Sequence, residues 1–385
     1  MKRKACLGKL HRRFQIRKLG AVMLGAVMAV AFCACGSDFQ GYVDEEVKSS
    51  TVVSGEKKGG GGKIGVSMPT KELQRWVQDG QNMESHLRDS GYSVDLQYAD
   101  NDAAAQDEQV AGMVEDGCKV LVIAAIDGTK LRKSLDAAKA AGAVVIAYDR
   151  LIMDSDAVGY YASFDNQLVG TLQGKYIAEA LDLENTDGPY NIELFTGSPD
   201  DNNCNFFFGG AMEVLQPYID AGKLVIPSGQ STKEACSTKE WSTDRARDRM
   251  SGILKKFYSD GKKLDAVLSS NDSVALGIAD AISKKYKGDF PVLTGQDCDI
   301  NSVKNIIGGK QSMSVFKDTR NLASKVVEMI TAILKGEEVP VNDTTSYDNG
   351  TGPVPSFLCE PVFADQGNYK KVLIDSGYYT ADQLK

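Results

Sequence analysis

The sequence predicts an α/β protein built from two parallel sheets, and three observations point to this class. The chain has 385 residues and 42% hydrophobic content, enough to bury the cores of two domains. From Lys63 onward, short β-branched runs alternate with amphipathic segments, the pattern of βαβ units. About ten such runs occur, and since so many strands are unusual in one open sheet, two sheets of about five fit better.

The predicted strands are separated by segments with helical periodicity. In the first of these segments, Trp76, Met83 and Leu87 recur at helical spacing, and Gly91 ends the helix. The ten strands are predicted at 63–69, 93–100, 120–127, 143–150, 159–165, 191–199, 223–230, 264–272, 290–297 and 312–318.

Nearly every predicted strand is apolar at its start and polar at its carboxyl end. The fourth strand, for example, runs from Ala143 to Ala147 without a polar side chain and then reaches Asp149 and Arg150. In open parallel sheets, ligands bind beyond the carboxyl ends of the strands. The sequence therefore predicts a polar cleft between two lobes whose strand ends face each other.

Composition excludes several classes of function. A formal net charge of -8 and a sequence pI near 5.1 argue against nucleic acid as a partner. Only His11 and His86 are histidines, which leaves little scope for histidine-based catalysis. The chain has no Walker lysine loop, no nucleophile elbow and no His/Cys spacing typical of a metal site, so we expect neither a metal nor a cofactor.

The acids at the strand ends mostly stand beside amides or cations, as Asp149 does beside Arg150. Cationic neighbours lower a carboxyl pKa, so such acids are suited to accepting hydrogen bonds and poorly suited to general acid catalysis. Together with Trp76 and Trp241 as apolar walls, this inventory favours a compact polyhydroxylated ligand over a glycosidase reaction. The alternatives are core packing for each tryptophan and helix N-capping for each acid, above all for Asp165 and Asp318.

The N-terminal segment has the layout of an export signal. Residues 1–19 carry eight Lys or Arg and no acid, and a short apolar run follows from Ala21 to Ala34. Ala34-Cys35-Gly36 resembles a bacterial lipobox, which predicts a signal peptide over 1–34 and lipidation of Cys35. An uncleaved membrane anchor is the alternative. The glycine-rich stretch 35–62 is predicted to be a flexible tether.

Five cysteines lie beyond this tether, and export permits disulfides. Cys204 and Cys236, both expected in polar loops, form the pair that we single out for a disulfide. Free buried thiols are the alternative.

Several motifs together resemble the substrate-binding proteins of bacterial ABC sugar importers of the ribose, galactose and xylose type. The likeness is greatest to xylose-binding and multiple-sugar-binding members. The motifs are KIGVSMPT at 63, RWVQDG at 75, VLVIAAIDGT at 120, VIAYDRLIMDS at 145, YASFDN at 161, GSPDDNN at 197, VLSSNDSVALGI at 267, TGQDCD at 294 and VFKDTR at 315. The resemblance runs from Lys63 to about Tyr379.

This resemblance implies a type I periplasmic binding protein fold: two lobes, each with a doubly wound, mostly parallel sheet, joined by three crossings. It places the crossings near 163–165, Phe316 and Asp343. The N-terminal lobe then comprises 63–164 and 317–343, and the C-terminal lobe 165–316 and 344–385. It also implies ligand-binding roles for Arg75, Trp76, Asp127, Asp149, Arg150, Asn203, Trp241, Asn271, Asp272, Asp297 and Lys317.

The function so implied is capture of a monosaccharide, an aldose such as xylose, glucose, galactose or arabinose, by lobes that close on it. A lipid-anchored, monomeric protein on the outer face of the cell membrane would then deliver the sugar to an ABC permease. The alternative is a sugar sensor that presents its closed form to a histidine kinase or chemoreceptor. No enzymatic activity is expected.

Overall fold

The computed structural model describes residues 61–385, so the predicted signal peptide, Cys35 and nearly all of the tether lie outside the described residues. The strands are β1 Lys63–Met68, β2 Ser93–Tyr98, β3 Val120–Ile123, β4 Val144–Tyr148, β5 Val158–Phe164, β6 Tyr190–Phe195, β7 Leu224–Val225, β8 Ala266–Ser269, β9 Val292–Leu293, β10 Met313–Phe316, β11 Ser356–Cys359 and β12 Val362–Asp365.

The helices occupy the segments between these strands. They are α1 Gln74–Asp89, α2 Ala103–Glu115, α3 Arg132–Ala140, α4 Asn166–Ala180, α5 Asn203–Asp220, α6 Lys233–Cys236, α7 Thr243–Phe257, α8 Asp272–Lys285, α9 Ile300–Ile307 and α10 Thr319–Lys335, with a 3₁₀ turn at Lys239–Trp241 and a π-helical turn at Lys370–Asp375. None of the helices from residue 61 onward is both long and apolar enough to cross a membrane.

The first lobe is a six-stranded sheet in the order β11-β5-β4-β3-β1-β2, with every pair parallel. Its central strands β1, β3 and β4 are buried on both faces, which is why they read as apolar runs, whereas the edge strand β2 is partly exposed. One face packs α1 and α10 through Met83, Leu87 and Val326. The other packs α2 and α3 through Met113 and Leu135. Helices on both faces make this sheet doubly wound, as predicted.

The second lobe contains a four-stranded parallel sheet in the order β7-β6-β8-β9. A parallel bridge from Gln296 to Val315 extends it toward β10, which pairs antiparallel with β12. Leu194 and Leu268 pack toward α4 and α5 on one face, while Val267 packs toward α7 and α8 on the other. The predicted fold class is therefore confirmed.

Strand β11 corrects the predicted lobe boundaries. Ser356–Cys359 pairs in parallel with β5 in the first sheet, so this part of 344–385 belongs to the first lobe and its assignment to the second lobe is wrong. The chain then enters β12, which pairs with β10 of the second lobe. The third crossing thus lies near 360–361 instead of Asp343, because the chain first adds an edge strand to the first sheet. The other two crossings follow β5 and β10.

The predicted pairing of Cys204 with Cys236 is also wrong. The five cysteines of the described part are free thiols. Cys204 lies on α5 and donates to the Ser198 carbonyl, at 3.1 Å between Sγ and O, whereas Cys236 at the end of α6 donates to the Gln230 carbonyl at 3.2 Å. The two thiols pack in different hydrophobic clusters, which matches the alternative of free buried thiols.

Candidate ligand-binding site between the lobes

A cavity lies at the carboxyl ends of the strands, between the two lobes. Nine of the eleven predicted ligand-binding residues line it: Arg75, Trp76, Asp149, Arg150, Asn203, Trp241, Asn271, Asp297 and Lys317. Leu73, Asp201, Phe207, Ser273, Gln296 and Asp299 complete the lining. Both lobes contribute side chains, so opening or closing of the lobes would take this site apart or assemble it.

Arg75 is the centre of charge in the cavity. From α1, its guanidinium pairs with Asp79 through Nε, with Asp149 at 2.6 Å through Nη2, and with Asp297 at 3.0 Å through Nη1. Asp297 belongs to the second lobe, so this last ion pair crosses the cleft. Lys317 reinforces it, with Nζ 3.0 Å from Asp297 Oδ1 and 3.8 Å from Asp149 Oδ2.

Asp149 is held in a strained backbone conformation. Its φ of 59° lies in the left-handed region that non-glycine residues rarely adopt. Its carbonyl accepts hydrogen bonds from Tyr161 Oη at 2.6 Å, Ser163 Oγ at 3.0 Å and Asn203 Nδ2 at 2.8 Å. These three donors stabilise the turn that directs the Asp149 carboxylate into the cavity. Although burial opposes it, the cations Arg75, Lys317 and Arg150 lower the pKa of Asp149 to about 2.

Arg150 forms a second ionic link between the lobes. Its Nε lies 2.9 Å from Asp201 Oδ2, an ion pair without hydrogen-bond geometry. Nη1 donates to the carbonyl oxygens of Ala125 at 3.1 Å and Ile126 at 3.5 Å, which fixes the head group against the loop after β3. Nη2 donates no hydrogen bond among residues 61–385, so this nitrogen is the donor left for a ligand.

Two tryptophans from opposite lobes form apolar parts of the wall. The Trp76 ring packs 5.0 Å from the guanidinium carbon of Arg150. Trp241 has a φ of 55°, follows Glu240 at 61°, and donates from Nε1 to Asp201 at 3.3 Å. Its ring covers Gly197 so closely that a Cβ there would lie 2.0 Å from the Trp241 ring. The turn and this glycine together set the position of the ring.

Comparison with known proteins agrees with this architecture. The periplasmic binding protein domain family matches residues 64–338. The chain belongs to this family. Among curated relatives, the multiple sugar-binding periplasmic receptor ChvE of Rhizobium radiobacter is 50% identical over 328 residues, covering 84% of this chain and 92% of the receptor. The D-xylose-binding periplasmic protein of Escherichia coli is 34% identical, with 84% and 92% covered.

Solved structures of periplasmic binding proteins give the same result. An ABC transporter solute-binding protein from Clostridium phytofermentans, solved with bound β-D-glucose, has 62% sequence identity to this chain and a TM-score of 0.83. The match covers 84% of this chain and all of that one. The family resemblance predicted from the motifs is confirmed.

Two predicted contacts of this periplasmic binding protein lie outside the cavity wall. Asp127 does not line the cavity, and its carboxylate accepts from the Thr129 N–H at 2.9 Å and Thr129 Oγ1 at 2.7 Å in its own turn. Asp272 is fully buried behind the wall. Gln311 Nε2, Ser314 Oγ and the Asp299 N–H all donate to it at 2.8 to 2.9 Å. Where the chain turns from the end of a strand into a helix, successive side chains point in different directions, so only some of them can face the cleft.

Some predicted acids and amides are helix caps. Asp165 accepts from the Leu168 N–H at 2.9 Å and Asp318 from the Arg320 N–H at 3.0 Å, which confirms the capping alternative for both. Asn271 lines the cavity but its Oδ1 also caps α8, accepting from the Val274 N–H at 3.0 Å.

Three cavity residues that were not predicted lie close in sequence to residues that were. Asp201 lies two positions before Asn203, while Gln296 and Asp299 flank Asp297 in the TGQDCD motif. Their position at polar strand ends would have been sufficient to predict these three residues as part of the site. Leu73 and Phe207 carry no such signal, because an apolar residue at a cavity wall looks like an ordinary core residue. Among residues 61–385, no group of His, Cys, Asp and Glu side chains is placed to hold a metal ion.

The acids in and around the cavity differ in the direction in which their pKa values are shifted. Burial raises the pKa of Asp201, and it raises the pKa of Asp79, behind Arg75, to about 6. Burial beside Asp297 raises the pKa of Asp299 to about 7. The cations around Asp149 therefore keep it ionised, whereas Asp299, which has no ion-pair partner among residues 61–385 and lies next to other acids, keeps its proton to a higher pH.

Proposed function

We propose that this protein captures a monosaccharide, an aldose such as D-glucose or D-xylose, between its two lobes and delivers it to an ABC permease. The single observation that carries the proposal is the composition of the cavity wall. It combines two tryptophans from opposite lobes with three cations and several carboxylates, all lining one cavity between the lobes.

This wall suits the chemistry of a sugar. A pyranose presents hydroxyl groups that both donate and accept hydrogen bonds, together with apolar C–H faces. Asp149 and Asp297 supply acceptors, while Arg150 Nη2 supplies a donor fixed by its neighbours. Trp76 and Trp241 supply the apolar surfaces. We propose ligand contacts for all nine predicted residues that line the cavity.

Closure of the lobes would couple binding to recognition by the permease. The Arg75–Asp297 and Arg150–Asp201 ion pairs join the lobes across the cleft. A sugar inserted among these four groups would add hydrogen bonds to both lobes at once. The ligand would therefore stabilise the closed arrangement by its differential affinity for it. The relatives named above support this role.

Lipidation of Cys35 and anchoring to the outer face of the membrane belong to the same proposal. The basic segment, the apolar run and the Ala34-Cys35 pair support it. Mass spectrometry of the protein isolated from membranes is the test. A diacylglycerol-modified N-terminal cysteine is expected, and an intact N-terminus or an unmodified one would contradict the anchor.

The binding proposal is tested by thermal unfolding against a panel of pentoses and hexoses, followed by isothermal titration calorimetry on the sugars that raise the melting temperature. At a hundredfold excess of sugar over Kd, binding stabilises the fold by about 2.7 kcal/mol. No shift with any monosaccharide would overturn the proposal. Release of sugar from aryl glycosides would instead assign an enzyme.

The permease and sensor alternatives are separated by the partner that recognises the sugar-loaded protein. Pull-down with permease subunits and with kinase or chemoreceptor ectodomains, each with and without sugar, measures this. Sugar-dependent capture by the permease supports transport, and capture by a sensor alone would replace it with signalling.

A further inference from the structure

One carboxyl group in the cavity has an oxygen without a hydrogen-bond partner among residues 61–385. Asp299 lines the cavity and is only 8% exposed, and its Oδ1 is buried without a hydrogen bond. By contrast, Asp149, Asp201 and Asp297 each lie within 3.0 Å of an Arg or Lys nitrogen. A buried polar group without a partner is costly, so this carboxyl group is the one whose bonding a ligand would complete.

The charges of the wall do not compensate a fourth anion. Its cations are Arg75, Arg150 and Lys317, and its carboxyl groups are Asp149, Asp201, Asp297 and Asp299. Arg75 is shared further with Asp79 behind the wall. If the three paired carboxylates are ionised, the three cations are already balanced, and an ionised Asp299 would leave the enclosed cavity with an excess negative charge.

The neighbours of Asp299 place a proton on it. Its backbone N–H donates to Asp272 Oδ2 at 2.8 Å, so the two acids are adjacent. Three donors converge on Asp272 and favour its ionised form, whereas no donor reaches Asp299 Oδ1. Burial raises the pKa of both acids, that of Asp272 well above its ordinary value and that of Asp299 to about 7. Because the Asp272 carboxylate already accepts three hydrogen bonds, we place the proton that this pair retains on Asp299.

Resting on the proposed function, we propose that Asp299 enters the sugar complex as a neutral carboxylic acid, donates a hydrogen bond to a ligand oxygen, and so makes sugar affinity depend on pH. It supplies a hydrogen-bond donor in the second-lobe wall, complementary to the carboxylate acceptors around it. Ionisation removes that donor and adds repulsion from Asp297, so affinity falls as the pH rises through the pKa of Asp299.

The titratable and charged groups packed against Asp299 are Asp272, Asp297, Arg75, Lys317, Cys298 and Tyr379. Asp272 also has a raised pKa, and it is unchanged in an Asp299 variant, so that variant controls for it. Burial raises the pKa values of the Cys298 thiol and the Tyr379 phenol. For Arg75, burial lowers the pKa, but the surrounding acids raise it by more. Asp79 has a pKa of about 6 and is unchanged in an Asp299 variant. Any pH dependence that comes from Asp79 would therefore persist in that variant.

Isothermal titration calorimetry with D-glucose or D-xylose, whichever binds more tightly, tests the proposal at pH 6, 7 and 8.5. Each titration is run in two buffers of different ionisation enthalpy. With a pKa near 7, Kd should rise about 30-fold from pH 6 to pH 8.5, and a proton should be taken up on binding at pH 8.5. Asp299→Asn should bind with no pH slope and no proton uptake.

Asp156→Asn is the matched control, because Asp156 is exposed and its one ion pair within residues 61–385 is with Lys139. It should keep the wild-type pH profile. A flat profile in the wild type, affinity that rises with pH, or a slope that persists in Asp299→Asn would each overturn the proposal. If Asp299→Asn does not fold, proton uptake by the wild type decides alone. Binding without a pH slope overturns only this inference, whereas absence of sugar binding at every pH overturns the proposed function as well.

Discussion

Replacement of Arg150 by Met should weaken sugar binding far more than it destabilises the fold. Methionine keeps much of the side-chain volume over the Trp76 ring but removes the guanidinium. Nη2 is the nitrogen left for the ligand, and a charged group contributes about 1.5 to 3 kcal/mol per hydrogen bond. Loss of two N–H donors to the sugar then costs about 3 to 6 kcal/mol, or roughly 10²- to 10⁴-fold in Kd.

The cost to folding is smaller because Asp201 has other ways to be satisfied. Breaking a buried ion pair costs about 3 to 5 kcal/mol when the remaining charge stays unpaired. Here Trp241 Nε1 and the Asn203 N–H still donate to the Asp201 carboxylate, at 3.3 and 3.0 Å. Its pKa is already raised by burial, so it can take up a proton when the guanidinium is gone. We expect a loss of about 1 to 3 kcal/mol of unfolding free energy.

Calorimetry with the sugar and urea unfolding monitored by circular dichroism measure the two effects separately. Arg88→Met, which removes an exposed arginine paired with Glu84 on α1, is the control and should change neither value by more than about 0.5 kcal/mol. The double variant Arg150→Met/Asp201→Asn should recover stability without recovering affinity. If Arg150→Met binds sugar within threefold of the wild type, Arg150 is a structural residue and its assignment as a ligand donor is wrong.

Three further predictions concern the wall and its support. Gly197→Ala should displace Trp241 and weaken sugar binding tenfold or more by calorimetry, whereas Gly252→Ala on α7, where an added Cβ would point into open space, should bind like the wild type; equal affinities would remove Trp241 from the site. Asp272→Ala strands three buried donors and should lower the unfolding free energy by about 2 to 4 kcal/mol in urea titrations, and a change below about 0.5 kcal/mol would contradict its structural role. Thiol titration of denatured, unreduced residues 36–385 should count five free thiols, and a count of three would restore a disulfide.

The fold could be predicted from the sequence wherever strand and helix alternate. Strands β1, β2, β3 and β5 of the first sheet are each followed by a helix, and the periodicity of both is set by local side-chain pattern. Strand β11 was missed for a physical reason. It has only four residues, Ser356–Cys359, and is reached through an irregular segment rich in glycine and proline instead of a crossover helix. Only its pairing with β5 identifies it as a strand of the first lobe.

The site could be predicted as a region more reliably than as a set of side chains. The parallel arrangement brings Asp149, Arg150 and Asp297 to one cleft because each follows a strand at its carboxyl end. Asp127 and Asp272 follow strands in the same way, yet one closes its own turn and the other lies behind the wall. Sequence position near a strand end does not specify the direction of the side chain.

The sequence by itself determined that polar and charged residues would gather between two α/β lobes, because hydrophobic periodicity sets the strands and parallel strands share one carboxyl edge. The tertiary structure alone decided which of those residues face the cavity and how burial and neighbouring charges shift their pKa values. Asp149 and Asp297 turn toward the cavity through backbone φ angles of 59° and 96°, which only long-range contacts maintain. Burial next to other acids raises the pKa of Asp299 to about 7, and only the fold brings about that burial.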